Sequence, residues 1–264
     1  MLRQAVKRAL FGRRALQPFW QRLHRLSLSG LNVGGGSNFE DSGELRVIDR
    51  FARERPGEGP LIVFDVGANV GGWALAVLER LGKRARLYCF EPSASTFSAL
   101  VENLGQRENV ELLNFGLGDR EESTELRTNA ALSGLASIYP RRLDHVGVSL
   151  DHSEPVRLRR LDDFCRERGI DHIGFLKLDV EGHELKVLEG AKNMLDAVAI
   201  DTIQFEFGGC NIDSRTYFQD FFYALDPKYR LHRIVRNGLV PIERYRETQE
   251  VFVTTNFLAI SRKL

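Results

Sequence analysis

Residues 61–72 read Leu61-Ile62-Val63-Phe64-Asp65-Val66-Gly67-Ala68-Asn69-Val70-Gly71-Gly72. The unbroken apolar start predicts a strand buried on both faces, as in a parallel sheet covered by helices. The glycines behind it allow a tight turn and close approach of backbone to a ligand. Trp73 to Leu81 predicts a helix, whose N-terminal amides then face the same point. The alternation continues outward. Arg86–Phe90 predicts a strand and Ser95–Leu104 a helix. Val110–Phe115 predicts a strand, Leu161–Arg168 a helix, Ile173–Val180 a strand, Glu184–Leu195 a helix, Ile200–Phe207 a strand and Tyr217–Leu225 a helix. Such alternation predicts an α/β sandwich with a mainly parallel sheet, binding its ligand beyond the carboxyl ends of the strands. Glu122–Arg127 predicts a hairpin arm. Tyr229–Val235 and Phe257–Ser261 are expected to pair antiparallel, through the Arg236-Asn237-Gly238 turn region or across the loop that follows. Between Thr128 and Pro155 periodicity fades, over a length typical of lids and binding loops.

Composition narrows the class. The chain has 264 residues, 43% hydrophobic and 28% charged, enough for a sizeable core without staples. A formal net charge of +1 gives no bulk field for nucleic acid, and no nucleic-acid partner is expected. Cys89, Cys165 and Cys210 are odd in number and widely spaced, so neither a disulfide framework nor a zinc site is indicated. A reduced, cytoplasmic setting is the default. No apolar run approaches the roughly 20 residues of a membrane span.

The beginning of the chain differs from the rest. From Met1 to Asn38 there is no Asp or Glu, while Arg3, Lys7, Arg8, Arg13, Arg14, Arg22 and Arg25 are basic. Leu2, Val6, Leu10, Leu16, Trp20, Leu23 and Leu26 recur near helical spacing. Three readings stand: a helix packed on the main domain, a peripheral membrane contact through residues 1–29, or a transit peptide. The glycine-rich break Val33–Asn38 divides a basic segment, 1–38, from a main domain, 39–264.

The turn after the first strand also indicates a ligand. A dinucleotide site uses G-x-G-x-x-G to seat a pyrophosphate. Here the pattern is G-x-N-x-G-G, with Asp65 two residues before Gly67. A carboxylate there repels a pyrophosphate and suits an ammonium. S-adenosylmethionine carries an ammonium and a sulfonium and no phosphate. Asn69 tolerates positive φ better than most residues. Glu91, closing the second strand 20 residues beyond Gly71, can accept hydrogen bonds from both ribose hydroxyls of an adenosine ligand.

Charge then concentrates in Leu176-Lys177-Leu178-Asp179-Val180-Glu181-Gly182-His183-Glu184, where an apolar strand delivers five ionisable residues near its end. Burying so much charge needs a reason. The next strand closes on Gln204-Phe205-Glu206-Phe207, so acids of neighbouring strands point into one cleft.

These segments resemble the FkbM-type methyltransferase family. The matching residues are Phe64–Gly71, Phe90-Glu91-Pro92, Leu117-Gly118-Asp119, Leu161-Asp162-Asp163-Phe164, Leu176–Glu184 and Leu188-Glu189-Gly190-Ala191, with Ser42-Gly43-Glu44 ahead of them. The resemblance implies a Rossmann-like, seven-stranded class I methyltransferase fold. It also implies S-adenosylmethionine as cofactor and O-methylation of a hydroxyl on a sugar, glycolipid or other small metabolite. By position, Asp65, Gly67, Asn69, Gly71 and Glu91 would bind the cofactor. Gly116 and Leu117 would lie by its adenine and Asp179 by its methionine end or the acceptor. Position 116 departs from the Ala expected there.

An alcohol needs help with its proton. His183 is the first candidate base, since imidazole titrates near neutrality. Asp179, Glu181 and Glu206 join it as candidate catalytic residues, with His145 and His152 behind them. Asp179 and Glu206 could instead hold Mg²⁺. No third ligand is evident, so the metal-free version is favoured. A nicotinamide-dependent oxidoreductase would need a phosphate-compatible turn and a Tyr-x-x-x-Lys pair, which the sequence lacks. A noncatalytic module that kept the cofactor fold is the other alternative.

Overall fold

The computed structural model describes residues 4, 7, 9–35, 41–57, 59–130 and 132–264. Gly36-Ser37-Asn38 of the expected linker, and Leu2, Arg3, Val6 and Arg8 of the amphipathic pattern, lie outside the described residues. In chain order the strands are β1 (Leu61–Val66), β2 (Ala85–Phe90), β3 (Val110–Leu113), β4 (Gly116–Gly118), β5 (Glu122–Thr128), β6 (His152–Arg160), β7 (Ile173–Leu178), β8 (Ile200–Phe207), β9 (Tyr229–Val235), β10 (Gly238–Ile242) and β11 (Thr255–Ser261).

The main sheet has the order β10-β9-β11-β8-β7-β1-β2-β3. Its pairs β3–β2, β2–β1, β1–β7 and β7–β8 are parallel, and β11 is antiparallel to both β8 and β9. The frame is therefore the expected seven strands plus β10. That eighth strand is added at the edge by a hairpin from β9 across Arg236-Asn237. The expected antiparallel pairing of β9 with β11 forms across the following loop, while the turn itself makes β9–β10. From β1 the chain runs outward to β2 and β3, then comes back to β7 on the other side. The carboxyl ends of β1 and β7 thus border the crevice where ligands bind in such sheets.

The period of two decides what covers each face. Phe64, Val66, Tyr88, Phe90, Leu176 and Leu178 enter one core cluster, while Val63, Leu87, Cys89 and Phe175 enter the other. The helices Glu44–Glu54, Gly72–Leu81 and Ala94–Leu104 cover the second cluster; Leu161–Arg168, Glu184–Gly190 and Phe218–Leu225 cover the first. All three cysteines are free and buried.

Three stretches differ from the sequence reading. The third strand stops at Leu113, because the Asn114 side chain donates to the Glu91 carbonyl at 2.9 Å. Residues 116–118 then start a second sheet, β4-β6-β5, in which β6 runs through Pro155 and claims part of the expected loop. The helix expected over 184–195 is two helices, Glu184–Gly190 and Lys192–Asp196. Among the described residues, no helix is long and apolar enough to cross a membrane.

Candidate active site

The turn after β1 is built as its glycines require. Gly67 has φ +79°, and a Cβ there would lie 1.9 Å from the Asp179 carbonyl oxygen. Its amide and that of Ala68 both donate to the Phe90 carbonyl at 3.0 Å, tying the turn to the end of β2. Asn69 sits at φ +48° and its Oδ1 accepts from the Val70 amide. Glu91 completes the turn from β2. Its carboxylate accepts from the Asn69 amide at 3.0 Å and the Ser93 amide at 2.9 Å, which fixes its direction toward the cleft. Burial raises this carboxyl to about 7, against the pull of those two amides.

The turn after β7 is equally specific. Glu181 has φ +51° and Gly182 φ +102°. The buried Glu184 carboxylate holds both in place by accepting from the Val180 and Gly182 amides at 2.9 and 3.1 Å. This turn and the one after β1 face each other across one cleft, which has two ends. Pro92, Gly116, Leu117, Leu126, Ile138 and Leu158 line the first with Glu91. Glu44, Lys177, Arg141 and Glu206 line the second. Gly67, Asn69, Asp179 and Glu181 border both.

The loop expected to act as a lid does lie over this cleft. Gly134 borders both ends. The Ser137 hydroxyl donates to the Glu181 carbonyl at 2.8 Å, and Tyr139 Oη meets His183 Nδ1 at 2.9 Å. Arg141, 8% exposed in its side chain, pairs with Glu181 and approaches Asp213 at 3.9 Å.

A sheet of this order with an apolar end and an acid at the close of β2 suits a nucleoside-containing cofactor. The family comparison decides which one: the family described as Methyltransferase FkbM domain matches residues 65–229. The chain belongs to the FkbM methyltransferase family. Its fold is that of class I S-adenosylmethionine-dependent methyltransferases, so S-adenosylmethionine is the implied cofactor. Among curated relatives, 2-O-methyltransferase NoeI from Sinorhizobium fredii is 30% identical over 143 residues, 51% of this chain and 58% of that protein. Hexuronic acid methyltransferase AglP from Haloferax volcanii is 28% identical over 170 residues, 63% of this chain and 64% of that protein. The matched region thus spans less than two thirds of either relative. Fibrillarin from Aeropyrum pernix, solved with natively bound S-adenosyl-L-methionine, gives a TM-score of 0.43 at 13% identity, covering 77% of this chain and 67% of that one.

The FkbM-family residues named from the sequence fall into two groups. Gly67, Asn69, Glu91, Gly116, Leu117, Asp179 and Glu181 line the cleft. Gly116 needs no Cβ, which would come 2.7 Å from Leu158 of β6; the second sheet accounts for the departure from Ala. Asp65 and Gly71 are not among the lining residues. Asp65 is wholly buried beneath the turn, where register sets it opposite Lys177 and their charges meet at 3.4 Å. Gly71, at φ +92°, lets the turn pack on Leu100 and Leu104.

His183 stands apart from the acids it was grouped with. It borders the apolar end, 6% exposed, against Gly118 and Tyr139, and burial lowers its imidazole to about 4. Asp179, Glu181 and Glu206 do share the charged end. His145 borders a separate recess beyond Arg141, and His152 is exposed on β6.

Other side chains were not assigned a role in the sequence. Lys177 bridges Asp65 and Asp179, at 3.4 and 3.1 Å. Burial alone would lower its ammonium, yet the two aspartates and Glu44 hold it raised. Glu44 starts the helix Glu44–Glu54 and accepts from Ser42 Oγ at 2.9 Å and from the Gln204 amide. The Ser42-Gly43-Glu44 match was the available signal for it.

Proposed function

We propose that this chain transfers the methyl group of S-adenosylmethionine to a hydroxyl oxygen of a sugar, glycolipid or other small hydroxylated acceptor. The carrying observation is Glu206. Its carboxyl group borders the charged end of the cleft and has no hydrogen-bond partner among the described residues, while Asp179 and Glu181 beside it are both paired with cations. When bound, the cofactor supplies an electrophilic methyl group on a sulfonium. Glu91 is placed to accept from ribose hydroxyls, and Leu117, Leu126 and Leu158 to enclose the base. The Cβ-free turn at Gly67 and the Asp179 carboxylate, both bordering the cleft, fit a cation-bearing ligand pressed close to the backbone. Glu206 takes the proton of the attacking hydroxyl, and Lys177 keeps Asp179 oriented. Much of the acceleration then comes from positioning two reactants in one closed site.

The names of NoeI and AglP, a 2-O-methyltransferase and a hexuronic acid methyltransferase, support an acceptor of the sugar class. The reading is metal-free: Lys177 already supplies the cation for Asp179, and among the described residues no group of three or more His, Cys, Asp or Glu is arranged to hold a metal. The test is transfer of labelled methyl from S-adenosylmethionine to a panel of saccharides and hydroxylated lipids, with and without chelator. A product label that survives mild alkali is an ether and is expected. Alkali-labile label marks a carboxyl ester and overturns the hydroxyl assignment. Loss of transfer on chelation overturns the metal-free one.

A further inference from the structure

The helix Gln17–Gly30 is amphipathic, and its apolar face points the wrong way for a core helix. Phe19, Leu23 and Leu26 share one face at i, i+4 and i+7, and are 57%, 43% and 68% exposed. The opposite face, His24, Leu28 and then Leu31, is the one turned to the body of the protein, beside Arg233, Val240 and Pro241. No residue of the helix is buried. A surface helix of a globular protein normally does the reverse, turning its apolar stripe inward.

The preceding turn adds to the exposed face. Phe11 stacks on Trp20 with ring centroids 5.2 Å apart, and Trp20 Nε1 donates to the Leu10 carbonyl at 3.2 Å. Leu10 and Phe11 are 43% and 53% exposed. Around these apolar groups the charge has one sign. Lys7, Arg13, Arg14, Arg22 and Arg25 are all exposed, and no acid precedes residue 40 in the sequence.

The base of the helix is held firmly. Asn32 Nδ2 donates to the carbonyls of Ser42 and Ile234 at 3.1 and 3.3 Å, and the Gly34 amide donates to the Thr254 carbonyl at 3.0 Å. Thr254 borders the charged end of the cleft.

We propose that the helix Gln17–Gly30 and the turn before it lie on an anionic lipid surface, with Phe11, Phe19, Leu23 and Leu26 entering the interface and the basic side chains meeting the headgroups. Charge complementarity selects this occupant. A second copy of the same face would bring five cations against five more, whereas an anionic bilayer offers both apolar depth and opposite charge. Nucleic acid would satisfy the arginines and leave the phenylalanines and leucines in water.

The test is co-sedimentation of the full chain with phosphatidylglycerol-containing vesicles and with pure phosphatidylcholine vesicles, at low and high salt. Binding to the anionic vesicles that weakens with salt is expected. Arg22→Glu with Arg25→Glu should reduce it by roughly tenfold or more, since each basic residue near such a surface is worth about a fivefold factor. Phe19→Ser with Leu26→Ser should reduce it comparably. Thermal stabilisation by S-adenosylhomocysteine should be unchanged in both variants, which shows that they fold. Full-length protein that ignores anionic vesicles at low salt, or binding indifferent to both pairs of substitutions, overturns the proposal. So does a concentration-dependent dimer that Phe19→Ser and Leu26→Ser dissolve in the absence of vesicle binding.

Discussion

The two ends of the cleft share a border but not a chemistry. The end beneath Gly116 and Leu117 is apolar, with Glu91 as its oriented carboxylate. The end beneath Glu206 gathers Glu44, Asp179 and Glu181 with Lys177 and Arg141. Every lone pair that orients Glu91 is answered by a backbone amide, so that carboxylate is fixed by the fold. The charged end is fixed by ion pairs, and its four acids meet two cations. Burial adjusts for the shortfall by raising the acids: Glu44 to about 7, Glu181 to about 8, and Glu206 well above its ordinary value. Shape and one acid suffice to hold a nucleoside; a proton has to be moved where charge is incompletely balanced.

The sharpest way to break this contrast is to remove one acid from the charged end. Glu206→Gln keeps the shape and removes the base, so turnover should fall by about 10²–10⁴ with little change in affinity for S-adenosylhomocysteine. His183→Ala, at the apolar end, should leave turnover at saturating cofactor within about tenfold, because a buried imidazole held near 4 is a poor base. Steady-state kinetics on the two variants separates them. A reversed pattern would move the proton-accepting role to His183.

Gly67→Ala strikes the border that both ends share. The new Cβ would meet the Asp179 carbonyl oxygen, and φ +79° is costly for any residue with a Cβ. Overpacking of this kind costs about 3 kcal/mol, so calorimetry should show cofactor affinity weakened roughly 100-fold. An unaltered affinity would mean that the turn can relax without touching the site.

What could be read in advance follows the same division. The apolar strands and glycine turn declare themselves locally, so β1, β2, β7, β8 and the position of Glu91 follow from periodicity and spacing. The charged end depends on register and on distant chain. Asp65 is two residues from Gly67 and looks like a ligand-facing acid, yet only the pairing of β1 with β7 reveals Lys177 opposite it. Glu44 reaches Gln204 across 160 residues of sequence, and no local pattern announces that contact. β6 was hidden by Pro155, although Val156-Arg157-Leu158-Arg159 alternates as a strand does. His183 follows a strand that ends in the cleft, but the left-handed Glu181 and Gly182 turn it toward Tyr139.

A smaller effect tests the apolar end. Glu91→Ala should weaken binding of S-adenosylhomocysteine by roughly 1.5–3 kcal/mol, the cost of losing charged hydrogen bonds. Part of that loss would come through the Asn69 and Ser93 amides, which lose their acceptor. Glu91→Gln separates the two contributions, since it keeps one oxygen for the turn. Equal losses in both variants assign the effect to the ribose; a much milder loss in Glu91→Gln assigns it to the turn.

The smallest predicted effect is a fraction of a proton, and it addresses the charged end directly. Burial and neighbouring acids, Asp179 and Glu181 foremost among them, raise the Glu206 carboxyl well above its ordinary value. A carboxyl raised in this way ionises when a positive charge enters beside it, because the cation favours the charged form. Binding of S-adenosylmethionine near neutral pH should therefore release up to about one proton, and its apparent affinity should strengthen as pH rises toward the raised value. S-adenosylhomocysteine lacks the sulfonium charge and should release less. Calorimetric titrations in two buffers of different ionisation enthalpy give the number of protons for each ligand. The difference between the ligands should vanish in Glu206→Gln, since the amide has no proton to lose. Equal release with both ligands, or uptake with either, would overturn the coupling of Glu206 to the sulfonium charge.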